Sequence, residues 1–129
     1  MSAKILVVDD STSIRQLVRD ALESEGYEIV EGEDGEQGLA ALQATSPSPD
    51  LVITDLYMSR MDGLSFVRSI RALPSFRFTP ILILSTEAGD ELKQRGRALG
   101  ATGWIVKPFD ADQLQEVVSR VLRSRGSAA

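Results

Sequence analysis

Ile5-Leu6-Val7-Val8-Asp9-Asp10-Ser11-Thr12-Ser13-Ile14 passes from an apolar run to a carboxylate pair, then to hydroxyl residues, then to the first apolar residue of a helical stripe. The run is β-branched and nearly all apolar, as expected for a strand covered on both faces. Ser11, Thr12 and Ser13 suit a helix N-terminus, and Ile14, Leu17, Val18, Ala21 and Leu22 then recur at helical spacing. The stretch therefore predicts a strand, a polar turn and an amphipathic helix stopped near Gly26.

The same unit recurs along the chain. Tyr27 to Val30 predicts a second, more polar strand nearer an edge, followed by a weak helix capped by Asp34 and carrying Leu39 and Leu42. Thr45-Ser46-Pro47-Ser48-Pro49 is a loop, and Asp50 to Thr54 predicts the third strand. Met61-Asp62-Gly63 turns into a helix bearing Leu64, Val67 and Ile70, with Pro74 just beyond it. Ile81 to Leu84 predicts the fourth strand. The segment from Glu87 to Leu99 has a thin stripe, Leu92 and Leu99, and predicts the least firmly anchored helix. Trp104 to Val106 predicts the fifth strand. Leu114, Val117, Val118, Val121 and Leu122 mark the last helix, and Arg120, Arg123 and Arg125 favour the negative end of its dipole. Gly126 to Ala129 reads as a frayed tail. Alternation of this kind predicts an α/β fold: a doubly wound (βα)5 domain with a parallel sheet, helices on both faces and right-handed crossovers.

The bulk composition narrows the function. A chain of 129 residues is expected to form one domain, its core at about 4–123 and a tail over 124–129. With 43% hydrophobic and 26% charged residues, a packed core is expected. The net charge of −5 argues against general binding to nucleic acid or to an anionic membrane. Cysteine and histidine are both absent, which excludes disulfides, thiolate metal sites and the commonest general base. The N-terminus runs straight into a core-like strand with no space for a signal peptide, and no apolar run is long enough to span a membrane, so a cytoplasmic protein is expected. No effector domain follows Arg125, so a typical DNA-binding transcription factor is not expected.

Polar residues end the strand-like runs. Asp9 and Asp10 close the first, Asp55 the third, Ser85 the fourth and Lys107 the fifth. Open parallel sheets bind ligands just outside the carboxyl ends of their strands. Each residue alone has an ordinary explanation as a turn former or helix cap; together they predict one shared patch. Three carboxylates at 4 Å repel by roughly 1–4 kcal/mol per pair, so protonation, a cation or the Lys107 ammonium must offset them. Hard oxygen ligands suit Mg²⁺, and a carboxylate such as Asp55 can act as a nucleophile toward phosphorus.

The motifs Leu6-Val7-Val8-Asp9-Asp10-Ser11, Thr54-Asp55-Leu56-Tyr57-Met58, Met61-Asp62-Gly63 and Val106-Lys107-Pro108-Phe109 closely resemble the receiver domain of two-component response regulators, in family order and from about Lys4 to Arg123. The resemblance implies a flavodoxin/CheY-like five-stranded parallel sheet in the order 2-1-3-4-5. It implies that Asp55 accepts a phosphoryl group from the phosphohistidine of a sensor histidine kinase. Mg²⁺ would be bound by Asp10, Asp55 and the Tyr57 backbone carbonyl, with Asp9 contributing mainly through water. Lys107 would pair with the phosphoryl group, the Ser85 hydroxyl would swing to it, and the backbone N–H groups of Tyr57 and Thr86 would complete the cradle. Trp104 matches the aromatic switch position, and the Lys107-Pro108 bond matches one that is cis in the family. The family's usual output face is the fourth helix, fifth strand and fifth helix. Such a protein is a signalling switch that catalyses only its own phosphorylation and dephosphorylation.

Two positions depart from the commonest pattern: Ser59 stands where the loop usually has proline, and Tyr57 replaces a small polar residue. Tyr57 and Glu87 occupy positions that tune hydrolysis of the aspartyl phosphate in the family. The Gly100-Ala101-Thr102-Gly103-Trp104 and Ser85-Thr86-Glu87-Ala88 segments look most like stand-alone chemotaxis regulators, which implies a flagellar motor switch or chemosensory target. A phosphorelay intermediate serving a histidine phosphotransfer protein is the alternative. An aspartate-nucleophile phosphatase would need a second aspartate two residues after its nucleophile in the first strand, where Ser11 stands after Asp9. A flavodoxin-like electron carrier would cradle a phosphate with hydroxyl and glycine residues in its first loop, where this chain has two carboxylates.

Overall fold

The computed structural model describes residues 3–127, with side chains described up to Ser124. Five strands, β1 (Lys4–Val8), β2 (Glu28–Gly32), β3 (Leu51–Asp55), β4 (Ile81–Ser85) and β5 (Gly103–Val106), form one parallel sheet in the order β2-β1-β3-β4-β5. Between and after them run α1 (Thr12–Glu23), α2 (Gly35–Ala44), α3 (Gly63–Ala72), α4 (Asp90–Leu99) and α5 (Ala111–Ser127), with a short 3-10 turn at Pro74–Phe76.

Alternation along the strands divides the core into two layers. Ile5, Val7, Ile53, Leu82, Leu84 and Ile105 face α1 and α5, where they meet Val18, Leu22, Leu114 and Val118. Leu6, Val8, Val52, Ile81 and Ile83 face the other helices and meet Leu42, Phe66, Val67 and Ile70. Period-two alternation sends neighbouring residues to opposite faces, so a continuous apolar run supplies both layers at once.

Caps set where the helices start. Ser11, Asp34 and Asp62 accept from the backbone N–H groups of Ile14, Gln37 and Ser65 and begin α1, α2 and α3. The helix expected from Glu87 starts instead at Asp90, behind Gly89, which has no side-chain cap. Among its residues Gly96 alone is buried, so α4 is thinly anchored. Its far end is held by Gly100 in the left-handed region (φ 113°) and by Arg71, whose Nε and Nη2 donate to the Gly100 carbonyl at 3.1 and 2.8 Å.

Several boundaries differ from expectation by a few residues. β2 lies one to two residues later than Tyr27–Val30, because its register follows β1, with Lys4 opposite Glu28 and Val8 opposite Gly32. Pro74 lies just past α3, as expected, and starts a 3-10 turn. The last helix continues to Ser127, past the point where a tail was expected to begin; Ala128 and Ala129 lie outside the described residues. Among the described residues, no helix is long and apolar enough to cross a membrane.

Candidate functional site

Parallel pairing aligns the strand tips. Asp55 lies opposite Leu84 in the β3–β4 register, and Ser85 opposite Val106 in the β4–β5 register. Asp9 directly follows β1, the other neighbour of β3, and Lys107 directly follows β5. Residues far apart in the chain therefore end on one edge of the sheet.

Asp9, Asp10 and Asp55 each offer a carboxylate oxygen, and these oxygens all lie within 4.8 Å of one another. Asp9 is buried, Asp55 is half-buried and Asp10 is exposed. The Lys107 ammonium donates to Asp9 Oδ2 at 3.2 Å and to Asp55 Oδ1 at 3.0 Å. The Ser11 backbone N–H donates to Asp9 Oδ1 and that of Leu56 to Asp55 Oδ1, both at 2.9 Å.

One ammonium thus serves two carboxylates. Burial pushes the Asp55 pKa up, and the Asp9 charge adds to that; the Lys107 bond opposes both without cancelling them. Burial pulls Lys107 down, but its bond to Asp55 and the charges of Asp9 and Asp55 outweigh this, so its pKa is raised and it stays an ammonium. Three carboxylates against one ammonium leave two uncompensated negative charges. An all-oxygen donor set with this charge fits a hard divalent cation of the Mg²⁺ class, which takes one or two carboxylates and keeps several waters.

Local backbone geometry holds Asp55 in place. The Gly63 N–H donates to the Leu56 carbonyl at 2.7 Å, folding the β3–α3 loop back on itself. A Cβ on Gly63 would overlap the Asp55 carbonyl oxygen and come within 2.8 Å of Leu56 Cα. The glycine of Met61-Asp62-Gly63 is therefore required by close approach to the backbone that carries Asp55.

The other candidate residues surround this pocket without all touching it. Ser85 is buried at the tip of β4, and its Oγ accepts from the Glu87 N–H at 3.0 Å. Thr86 is exposed. Trp104 points to the α4 side of the sheet, half-buried against Gly96, and its Nε1 donates to the Glu87 carbonyl at 2.8 Å. Tyr57 is 56% exposed, and its hydroxyl donates to the Glu87 carboxylate. The Lys107-Pro108 peptide is cis, as is Ser46-Pro47.

Sequence reading missed Arg15, which is buried and donates to the Asp9 carbonyl at 2.5 Å. One signal was available. An arginine near a helix N-terminus opposes the helix dipole and asks for a compensating partner.

The chain matches the model of the response regulator receiver domain over residues 5–119. It is 34% identical over 119 residues to a probable chemotaxis protein CheY of Rhizobium etli, covering 92% of this chain and 91% of that protein. Among solved structures, the chemotaxis response regulator CheY4 of Vibrio cholerae is 45% identical with a TM-score of 0.89, over 94% of this chain and 99% of that one. The sensor histidine kinase CheAY of Helicobacter pylori is 30% identical over 95% of this chain, which spans 15% of that protein. With its sheet order and the acidic cluster at its strand tips, the chain belongs to the response regulator receiver domain family of two-component signalling, close to CheY-like proteins.

Proposed function

We propose that this protein is a phosphorylation-controlled switch in which Asp55 takes a phosphoryl group from the phosphohistidine of a sensor histidine kinase, with Mg²⁺ bound beside it. The supporting observation is the Lys107 ammonium, 3.0 Å from Asp55 and 3.2 Å from Asp9, at a three-carboxylate cluster that keeps excess negative charge. In the reaction a carboxylate oxygen of Asp55 attacks phosphorus. A P–O bond forms, the P–N bond breaks, and the imidazole nitrogen leaves with the electron pair and takes up a proton. The nucleophile is an anion, so no general base is required.

Asp10, Asp55 and the Tyr57 backbone carbonyl would hold the Mg²⁺, with Asp9 acting mainly through water. When bound, the ion offsets charge on the phosphoryl oxygens. Lys107 then exchanges part of its carboxylate contact for a phosphoryl oxygen, and the backbone N–H groups of Tyr57 and Thr86 complete the cradle.

The modified state acts through Ser85. Its hydroxyl leaves the Glu87 N–H for the phosphoryl group, and the Glu87 backbone, whose carbonyl holds Trp104, moves with it. A phosphoryl group adds roughly −1.5 to −2 charges and strong acceptor oxygens, and such differential contacts are what can shift a two-state equilibrium. Thinly anchored α4 is the element easiest to displace. The output is a changed affinity for a partner protein. The chemotaxis names of the Rhizobium etli and Vibrio cholerae relatives favour a flagellar motor switch or chemosensory component in a cytoplasmic setting.

Trp104 is the single tryptophan, so its emission reports the switch without background. Titration with beryllofluoride, which mimics an aspartyl phosphate, is expected to change that emission only with Mg²⁺ present and not in Asp55→Asn. A signal that persists in the variant refutes the assignment.

A further inference from the structure

Arg15 is a charged side chain inside the fold that phosphoryl transfer to Asp55 leaves without a role. It is 8% exposed, although it sits on a helix whose neighbouring polar residues reach water. Its guanidinium turns toward the strand tips. Nη1 donates to the Asp9 carbonyl at 2.5 Å, Nε to Glu31 Oε1 at 2.9 Å and Nη2 to Thr12 Oγ1 at 3.4 Å, with the Glu33 carboxylate 3.9 Å away.

Asp9 is consequently held on every side. Its N–H donates to the Gly32 carbonyl at 3.2 Å, its carboxylate meets Ser11 and Lys107, and its carbonyl meets Arg15. A peptide unit is planar, so the direction of the Asp9 carbonyl also sets the position of the Asp10 nitrogen and Cα. Asp10 is the exposed member of the acidic cluster, and none of its own side-chain hydrogen bonds locates it within the described contacts.

We propose that Arg15 is a positioning residue for the cation site: its clamp on the Asp9 carbonyl fixes the Asp9–Asp10 peptide and so holds the two carboxylates at the spacing a divalent ion needs. This rests on the Mg²⁺ reading above. A lone cation this near would repel the ion, but Glu31 and Glu33 face the guanidinium and neutralise it, leaving its geometry as its contribution. The rigid fork of arginine can grip a carbonyl and a carboxylate together, which a lysine ammonium cannot reproduce. Groups that orient metal ligands from behind are commonly worth about 10- to 100-fold in affinity.

The test measures Mg²⁺ dissociation constants by calorimetry, alongside melting temperatures, for wild type, Arg15→Gln, Arg15→Lys and Arg19→Gln. Arg19 holds the same Glu31, and Glu23, without touching Asp9, so it controls for loss of the ion-pair network. Arg15→Gln is expected to weaken Mg²⁺ binding about ten-fold. Arg19→Gln is expected to lower the melting temperature and keep the wild-type affinity. If Arg15→Gln unfolds at the assay temperature, Arg15→Lys decides, with affinity expected to fall several-fold. Wild-type Mg²⁺ affinity in a folded Arg15 variant, or equal weakening in Arg19→Gln, overturns the positioning role alone. Failure of the wild type to bind Mg²⁺ overturns the cation site itself and the role with it.

Discussion

The Tyr57 hydroxyl donates to the Glu87 carboxylate at 2.5 Å, tying the β3–α3 loop to the β4–α4 loop beside the strand tips that carry Asp55 and Ser85. Glu87 also donates its backbone N–H to Ser85 Oγ and accepts the Trp104 indole at its carbonyl. One residue therefore joins the two proposed switch side chains to an exposed tyrosine near the proposed phosphorylation site.

That connection gives the tyrosine a kinetic consequence. If Asp55 carries the proposed acyl phosphate, the Tyr57 ring held by Glu87 is expected to screen it partly from water. Tyr57→Asn is expected to lose its phosphoryl group several-fold faster than wild type, followed by decay of the labelled protein. Equal or faster decay in wild type removes the shielding role.

The same bond raises the Tyr57 pKa, because the carboxylate holds the neutral phenol and its charge disfavours the phenolate. Spectroscopic titration in a Tyr27→Phe background should find Tyr57 ionising above the ordinary tyrosine range. Glu87→Gln should bring it down, and an unchanged titration would mean that the bond does not persist in solution.

Asp55 and Lys107 have opposite expected effects on stability. The raised Asp55 pKa means that its ionised form costs stability, a cost absent below the unfolded value of 3.8 and growing as pH rises through the folded one. Asp55→Asn is therefore expected to stabilise the metal-free protein by an amount on the order of 1 kcal/mol at pH 7. Lys107→Met leaves Asp9 and Asp55 uncompensated and should cost about 1–3 kcal/mol, less than a fully buried pair because the site is partly solvated. Mg²⁺ should restore part of that loss. Chemical denaturation of both variants, with and without Mg²⁺, checks the two signs.

Glu31 carries the pH dependence of the α1–β2 junction. Burial pushes its pKa up, but bonds to Arg19 and Arg15 outweigh this, so the net shift is downward from 4.5. Its contribution is present above the unfolded value and lost as pH falls through the lower folded one. Glu31→Gln should accordingly be less stable than wild type at pH 7, with the gap closing in acid. A gap that persists unchanged at low pH would contradict the ion-pair explanation.

Gly63→Ala tests whether loop geometry governs the site. The added methyl overlaps the Asp55 carbonyl, so the loop must shift at a cost of about 1–3 kcal/mol. Phosphorylation from a small-molecule phosphodonor should slow in the folded variant, because Asp55 moves with its backbone. Wild-type rates would show that the close packing does not position the nucleophile.

The local elements were legible because they depend on residues near one another in the chain. The apolar runs of β1, β3 and β4, the caps at Ser11 and Asp34, and the polar residues ending the strands all follow from period and side-chain chemistry. Even the weak hold on α4 could be read from its thin apolar stripe. That these residues share a patch was expected; which of them bond to one another was decided by the tertiary structure. Lys107 is shared by Asp9 and Asp55 because sheet order and register bring together residues separated by 98 and 52 positions. Arg15 carries along the chain only the signal of a cation near a helix N-terminus, and the pairing of β2 with β1 brings it Glu31 as its carboxylate partner. The loop after β4 was expected to be helical from Glu87, but there the backbone is drawn to Ser85 and Trp104. Hydrophobic periodicity constrains a residue relative to its own helix or strand, whereas distances between strand tips are set by how the whole sheet pairs.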